Sequence, residues 1–178
     1  MYGMVNKELK NSITKEFGDD VWRKVEAKAN PGVEYFVEMS AYPDHITYDL
    51  VDAVCEITGV TADDFLHQFG EDWISQTYNG TYRHYYESVS TLPDMIEHLN
   101  DMHADLGLVL PELTSPSFHV IDKSRGHCVV DYVSERPGLT SFVSGLFKGL
   151  GKVYQTQITV KLIETPEEVT QRYRIEYS

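Results

Sequence analysis

Residues 92–121 read LPDMIEHLNDMHADLGLVLPELTSPSFHVI, and the hydrophobic pattern changes inside this stretch. Up to residue 110 the apolar side chains recur every three or four positions, which is the period of an amphipathic helix. After Pro111 comes Phe118-His119-Val120-Ile121, a short apolar run rich in β-branched and aromatic residues, which is typical of a strand. The stretch therefore marks the passage from a helical part of the chain to a part built from strands.

The residues on either side extend both patterns. The predicted helices cover about 2–17, 19–28, 44–57, a fourth that begins at Thr61, 81–88 and 92–108, and an extended segment covers 34–37. The predicted strands cover 118–121, 127–133, 155–163 and 171–177, with turns at 123–126 and 164–168 and a helix at 139–150. Helices followed by antiparallel strands predict an α+β fold. We expect one domain, residues 1–178, with a helical lobe of about 1–110 and a sheet lobe of about 111–178.

The charge of the chain restricts its partners. Its 28 Asp and Glu residues outnumber 15 Lys and Arg residues, which gives a formal net charge of −13. Such a chain repels phosphate backbones and anionic membranes, so we expect neither nucleic acid nor membrane as a partner. The same repulsion between copies favours a monomer. A hydrophobic, neutral or cationic partner is easier to reconcile with this charge.

The cysteines and the N-terminus indicate a cytoplasmic protein with reduced thiols. Cys55 and Cys128 are far apart and form no Cys-x-x-Cys pair, which argues against a disulfide framework or a thiolate zinc site. The first residues lack the basic segment, apolar core and cleavage site of a signal peptide, and no apolar run is long enough to cross a bilayer.

His103 is the first candidate for chemistry. The sixth predicted helix has one apolar stripe, formed by Ile96, Leu99, Leu106 and Leu110. His103 falls on this stripe, four residues after Leu99 and three before Leu106, so its imidazole faces inward and needs partners. The residue alone leaves two interpretations open. It is either a core histidine hydrogen-bonded to a carbonyl, or an axial metal ligand that offers Nε2 while an acceptor holds Nδ1–H.

Tyr132-x-Ser134-x-Arg136 is the second candidate. Side chains alternate along a strand, so these three are expected on one face, together with Cys128 and Val130. That face changes from apolar to hydrogen-bond donors within a few residues. It suits an apolar disc with carboxylates at one edge, because a guanidinium can hold a carboxylate through two bonds while each hydroxyl donates one. The alternative is a solvated strand end.

Five apolar side chains could cover one face of such a disc. They are Trp73 on the fourth predicted helix, Phe142 and Leu146 on the seventh, and Val5 and Leu9 on the first. Aromatic stripes at helical spacing usually belong to the core, so each of these residues also has a purely structural interpretation.

The remaining motifs do not support catalysis. Residues 145–152, GLFKGLGK, lack the spacing of a phosphate-binding loop, and Val153 follows where Ser or Thr is needed. Close helix packing explains these glycines better. The other histidines show no metal-binding spacing, and no nucleophile elbow or hydrolytic triad can be assembled. We therefore expect a binding protein and not an enzyme.

Taken together, these segments resemble the H-NOX domain, the haem nitric oxide/oxygen-binding domain of bacteria, which is related to the haem domain of animal soluble guanylate cyclase. The matching segments are MYGMVN at 1–6, HLNDMHADL at 98–106, PELTSPSF at 111–118 and Tyr132-x-Ser134-x-Arg136. The resemblance runs from residue 1 to 178. The segment around His103 and the Tyr-x-Ser-x-Arg signature are specific in combination, because both occur in the right order and separation.

The resemblance implies the H-NOX fold with one haem b between the two lobes. His103 would be the axial protein ligand to iron, leaving the sixth position open to a diatomic gas. Tyr132, Ser134 and Arg136 would bind the haem propionates. Pro116 would press on the porphyrin and help to hold it non-planar.

The distal pocket would decide which gas binds. Oxygen-binding members of the family have a distal tyrosine, and Phe142 falls at that position, although the loop at 137–139 is one residue longer here. Trp73 falls where the family has another distal polar group, so its indole N–H could donate. Hydrogen-bond donors stabilise bound O₂ more than NO or CO, because bound O₂ takes on the most negative charge. An apolar pocket therefore favours nitric oxide as the signal, with CO as a second ligand.

The implied mechanism is the release of His103. NO weakens the bond opposite it, the Fe–His103 bond breaks, the sixth helix is freed and the haem flattens. We expect the output to be a separate protein, which in this family is typically a histidine kinase or a cyclic-di-GMP enzyme.

Three other functions would use some of the same residues or the same cofactor. An oxygen-binding haem protein would use Trp73 as a donor. An iron-free module that binds a tetrapyrrole or another small molecule would keep Arg136 but would not need His103. A haem peroxidase or NO dioxygenase needs a distal acid–base residue, and the resemblance places no histidine or carboxylate over the iron.

Overall fold

The structure is a computed structural model that describes residues 1–110, 112 and 114–178. Pro111 and Leu113, which belong to the predicted lead into the first strand, lie outside the described residues. The contacts divide the chain into two compact units, Met1–Phe69 and Gly70–Ser178. The secondary structure changes near residue 110 instead, and the single-domain organisation stays a prediction.

The described residues form helices first and then an antiparallel sheet of four strands, which confirms the predicted α+β fold. The helices are α1 (Gly3–Phe17), α2 (Asp19–Ala29), α3 (Asp44–Thr58), α4 (Ala62–Asn79), α5 (Arg83–Glu87), α6 (Leu92–Val109) and α7 (Thr140–Val153). The strands are β1 (Ser117–Ser124), β2 (His127–Val133), β3 (Ile158–Glu167) and β4 (Thr170–Tyr177), in the order β1-β2-β4-β3. Over the described ranges, no helix combines the length and the apolar composition that crossing a membrane requires.

In the unit Met1–Phe69, three helices end at residues with positive φ. Gly18, Asn30 and Gly59 have φ values of 88°, 44° and 78°, and the amide of each donates to a carbonyl four residues earlier. Residues 34–37, which were predicted as extended, lie outside any strand, with a bend at residues 34–35. The fully buried side chains of this unit include Leu9, Ile13, Val25, Leu50 and Val54.

In the unit Gly70–Ser178, α6 contacts β1 and α7 contacts β3. Their apolar faces and the inner face of the sheet form one core cluster, whose fully buried members are Met95, Ile96, Phe118, Cys128, Val130, Val143, Phe147, Leu150, Tyr173 and Ile175. The contacts therefore group α6, which was predicted to belong to the helical lobe, with the sheet.

Strand β3 is longer than predicted at its C-terminal end. Residues 164–167, which were predicted as part of an acidic turn, pair with β4 through two shifts of register. Glu164 lies opposite Arg172, and the guanidinium forms an ion pair with its carboxylate. This pairing across the strands stabilises an extended segment whose composition is typical of a turn.

Candidate functional site

His103 is oriented by a backbone carbonyl. It lies half-buried on α6, on the stripe that also carries the buried Ile96 and Leu99. Its Nδ1 is 3.2 Å from the carbonyl oxygen of Pro116. Because a carbonyl only accepts, Nδ1 carries the proton and Nε2 presents its lone pair. In the described part of the chain this is the only hydrogen bond of the His103 side chain. The sequence predicted such an acceptor but not which group supplies it.

The surroundings of His103 keep its imidazole neutral. Burial lowers the pKa of His103 below its ordinary value, and the hydrogen bond with the Pro116 carbonyl opposes this shift. A lower pKa keeps the ring uncharged at neutral pH, and only the uncharged ring can offer Nε2 to a metal ion.

Asn100 joins α6 to the start of β1, one helical turn before His103. Its Nδ2 donates to the carbonyl oxygen of Phe118 at 2.6 Å, and its Oδ1 accepts from the amide of Phe118 at 2.9 Å. The two links, through His103 and Asn100, fix residues 116–118 against one face of α6. The sequence analysis did not identify Asn100, although it lies inside the segment that carries the family resemblance.

The Tyr132-x-Ser134-x-Arg136 motif bends at its second residue. Strand β2 ends at Val133, so the prediction that strand alternation carries through Arg136 is wrong. The Ser134 hydroxyl oxygen accepts from the amide of Arg136 at 3.2 Å, which is the side-chain bond of a tight turn. The Arg136 guanidinium then donates from Nη1 to the carbonyl oxygen of Thr114 at 2.7 Å.

These three residues nevertheless line one cleft of about 180 Å³. Its lining residues are Tyr132, Ser134, Glu135, Arg136, Pro137, Glu168, Val169 and Gln171. Sites that enclose drug-sized ligands measure roughly 300–1,000 Å³, so this cleft suits carboxylate ends better than a whole apolar disc. A guanidinium beside hydroxyl groups fits such carboxylates, and it offsets the negative charge of Glu135 and Glu168.

The predicted apolar residues of α4 and α7 border the core cluster. Trp73 and Phe142 are half-buried and pack against it, and Leu146 belongs to it. The two helices pack closely at two glycines. A Cβ added at Gly70 would lie 2.3 Å from the Phe142 carbonyl oxygen, and one at Gly149 would lie 2.7 Å from Cβ of Ile74. Close packing of the glycines in residues 145–152 is thereby confirmed.

The remaining two predicted residues lie on α1, in the unit Met1–Phe69. Val5 is half-buried and Leu9 is fully buried there. Their role as lining residues of a cofactor site stays a prediction.

A hydrogen-bonded series of side chains on the surface was not predicted. His98 lies between Ser88, 3.1 Å from its Nε2, and Asp101, 2.9 Å from its Nδ1. Ser88 is exposed, its hydroxyl also lies within 2.7 Å of the Tyr85 carbonyl, and none of the three residues lines the cleft. Within the described ranges, no three His, Cys, Asp or Glu side chains cluster as ligands for a bare metal ion.

The donor set fits a haem. One neutral imidazole is held in place for axial coordination, and one cleft offers a guanidinium and hydroxyl groups to carboxylates. The two lie on either side of Phe118, whose ring centroid is 6.2 Å from that of His103 and 5.2 Å from that of Tyr132.

Comparisons with known proteins agree with this geometry. A family model described as haem-NO-binding matches residues 2–162. Soluble guanylate cyclase 89Da of Drosophila melanogaster is 24% identical over 172 residues, which are 96% of this chain and 26% of that protein. The chain thus spans about a quarter of the length of the curated relatives that it matches.

Two solved structures illustrate the shared fold. An H-NOX protein from S. oneidensis in the Fe(II)NO ligation state has a TM-score of 0.89 at 16% identity, covering 100% of this chain and 99% of that one. An oxygen-binding H-NOX domain related to soluble guanylate cyclases, in its oxygen complex, has a TM-score of 0.83 at 20% identity and covers 100% and 95%. One of the two binds nitric oxide and the other oxygen, so the fold does not decide between the gases.

Proposed function

This chain belongs to the haem-NO-binding family, a family of haem-binding gas-sensing domains, and we propose that it binds haem b through His103 and responds to nitric oxide. The observation that carries the proposal is the 3.2 Å contact between Nδ1 of His103 and the Pro116 carbonyl, because it directs Nε2 toward a metal. When bound, haem would supply a ferrous iron held by His103 and open to NO or CO, and NO would weaken the hold of His103 on that iron.

The cleft would hold the propionates. Arg136 is already directed by the Thr114 carbonyl, and Ser134 and Tyr132 place hydroxyl groups on the same cleft. The guanidinium supplies the positive charge that two carboxylates need in a chain of net charge −13.

Selectivity for NO would rest on Phe142. Its ring has no hydrogen-bond donor, so a gas that needs polar stabilisation gains none from it. Leu146, Val5 and Leu9 would add further apolar surface. Trp73 is the side chain that favours the second candidate function, oxygen binding, because its indole N–H can donate.

His103 would transmit the signal through α6. The bond of His103 to the haem iron would be the difference between the two states on which NO acts. Its release would leave the links of Pro116 and Asn100 to carry a movement of α6 into β1. Pro116, next to the ligand, is the residue we expect to press on the porphyrin.

A separate partner protein would convert the binding of the gas into an output. We propose a histidine kinase or a cyclic-di-GMP enzyme in the cytoplasm, with this chain as a monomeric sensor that has no catalytic activity of its own. The cyclase activity in the names of the relatives belongs to proteins about four times as long, so it is not transferred to this chain.

An absorption spectrum tests the proposal. Purified protein, reduced with dithionite, should give a five-coordinate ferrous band, become five-coordinate nitrosyl with NO, bind CO, and form no stable complex in air. His103→Gly should lose the ferrous band and regain it when free imidazole is added. A stable oxy spectrum would favour oxygen binding and Trp73 as donor. If the protein shows no haem band even after reconstitution, the proposed function is wrong and the iron-free module takes its place.

A further inference from the structure

The start of α7 is held by side chains of β4. The residue before the helix, Leu139, has no acceptor in its side chain, and α7 begins without a side-chain cap. Thr140, the first residue of α7, is bonded to the sheet instead. Nε2 of Gln171 donates to Oγ1 of Thr140 at 2.9 Å, and the Tyr173 hydroxyl lies 3.2 Å from the Thr140 carbonyl oxygen. The position of this helix end therefore depends on β4.

Gln171 uses both ends of its amide in this link. While Nε2 donates to Thr140, Oε1 lies 2.5 Å from the hydroxyl of Tyr173. Tyr173 is fully buried, so its hydroxyl needs an acceptor inside the protein. An amide of this length offers both a donor and an acceptor, which neither glutamate nor methionine does.

Gln171 also lines the cleft of Arg136. It lies directly opposite Tyr132 in the pairing of β2 with β4, so the two side chains share one face of the sheet. The neighbouring Val169 accepts from the amide of Ser134 at 2.9 Å, which fixes this end of β4 to the motif. Gln171 thus contacts the cleft and the start of α7 at once.

We propose that Gln171 is a positioning residue that couples the Arg136 cleft to the start of α7. The proposal rests on the proposed function, in which the cleft holds the propionates and α7 carries Phe142, two residues after Thr140. A group seated in the cleft beside Gln171 restrains the helix end next to the ring that sets gas selectivity. Without the link, only the 3.2 Å contact of the Tyr173 hydroxyl joins Thr140 to β4 among the described residues, and the first turn of α7 follows the cleft less closely.

Hydrogen exchange measures the link itself. In Gln171→Met, which keeps the length of the side chain but removes both bonds, the amides of the first turn of α7 should exchange about fivefold faster. Thr140→Val removes Oγ1, the acceptor of the bond from Gln171 Nε2, and should also speed exchange, as expected for the loss of one net hydrogen bond. The double variant should exchange no faster than Gln171→Met alone, because the bond between Gln171 and Thr140 is already absent in that variant. Thr140→Ser keeps the hydroxyl and should match the wild type.

The CO-stretching band of the reduced haem protein measures the coupling. The band should shift in Gln171→Met and in Thr140→Val and stay at the wild-type position in Thr140→Ser. If the amides of the first turn of α7 exchange no faster in the variants, the link itself is wrong. If they exchange faster but the CO band does not shift, Gln171 has only a structural role and the proposal is wrong. If the wild-type protein shows no haem band, the proposed function and the coupling through Gln171 are both wrong. If the wild-type spectrum is normal but the CO band of the variants does not shift, only the coupling through Gln171 is wrong.

Discussion

Asn100 illustrates how a single polar side chain can substitute for a strand. Its amide meets both the amide and the carbonyl of Phe118, as a neighbouring strand would, and Phe118 is buried. Both backbone groups would lose their partner if this side chain were shortened, and a backbone group left unpaired away from water is costly.

We expect Asn100→Ala to lower the free energy of unfolding by about 1–3 kcal/mol, because it leaves two part-buried backbone groups of Phe118 unpaired. Urea unfolding of the purified protein measures the change. The matched control is Asn11→Ala, whose exposed side chain hydrogen-bonds only to half-buried Glu8 among the described residues, and it should stay within about 0.5 kcal/mol of the wild type. Equal losses in the two variants would contradict the role given to Asn100.

For single residues, the sequence predicted where a side chain lies better than which group it hydrogen-bonds. The apolar stripe of α6 predicted that His103 points inward, because helical periodicity is a local property. The identity of its acceptor, Pro116, depends on how the chain returns past α6, and so does the contact of Asn100 with Phe118. No local pattern contains that information.

Helices α4 and α7 pack so closely that α4 requires a glycine at position 70. We expect Gly70→Ala to lower the free energy of unfolding by about 1–3 kcal/mol, because the added Cβ would meet the Phe142 carbonyl, a backbone atom that cannot turn aside. Gly107→Ala is the control, since α6 leaves open space at that position and alanine is the better helix former. It should raise stability, by up to about 1 kcal/mol. Thermal unfolding measures the stability of both variants. A Gly70→Ala variant more stable than the wild type would disprove the close packing.

In the sheet, Asp131 of β2 accepts two bonds from Arg172 of β4, from Nε at 2.6 Å and from Nη2 at 2.8 Å. The hydrogen bonds from Arg172 hold the pKa of Asp131 below its ordinary value, against the opposing effect of burial. A carboxyl whose pKa is lower in the folded state stabilises that state above the unfolded pKa, and the contribution is lost as the pH falls through the folded pKa.

We therefore expect Asp131→Asn to melt at a lower temperature than the wild type at pH 7. The difference should shrink as the pH falls below about 4, where the unfolded carboxyl takes up its proton. Circular dichroism melting curves across this range provide the measurement. Glu176→Gln, which alters an exposed pair with Arg174 on the same strand, serves as the control and should show little difference at any pH. A difference for Asp131→Asn that persists at low pH would refute the explanation.

The order and type of the elements followed from periodicity, and β2 ends at Val133 as predicted, but β3 runs past its predicted end. Strand β2 stops at Val133 because Ser134 bonds to the amide of Arg136, and β3 continues to Glu167 because Glu164 meets Arg172. Each end is set by one side chain whose partner comes from a turn or from another strand. Tyr132, Ser134 and Arg136 still line one cleft, because the bend keeps Arg136 beside Tyr132, and their role in binding carboxylates stays a prediction.

For the whole molecule, the net charge of −13 is the dominant electrostatic property. Repulsion among like charges destabilises a compact state, and salt screens it over a Debye length of about 8 Å at 0.15 M. We expect the melting temperature to rise between about 0.01 M and about 0.15 M sodium chloride. Sedimentation at the lower salt should show a monomer. A melting temperature that falls with salt would mean that attractive ion pairs, such as that of Asp131 with Arg172, outweigh the repulsion.

The burial of Cys128 in β2 affects how readily its thiol can react. Its thiol is fully buried, and burial raises its pKa to about 11, while burial and the nearby Asp52 raise the pKa of the Cys55 thiol. Only the thiolate reacts readily with oxidants and nitrosating agents, and at neutral pH both cysteines are protonated. Neither sulfur is therefore a ready target for oxidants or nitrosating agents, which leaves the proposed response to nitric oxide to the haem.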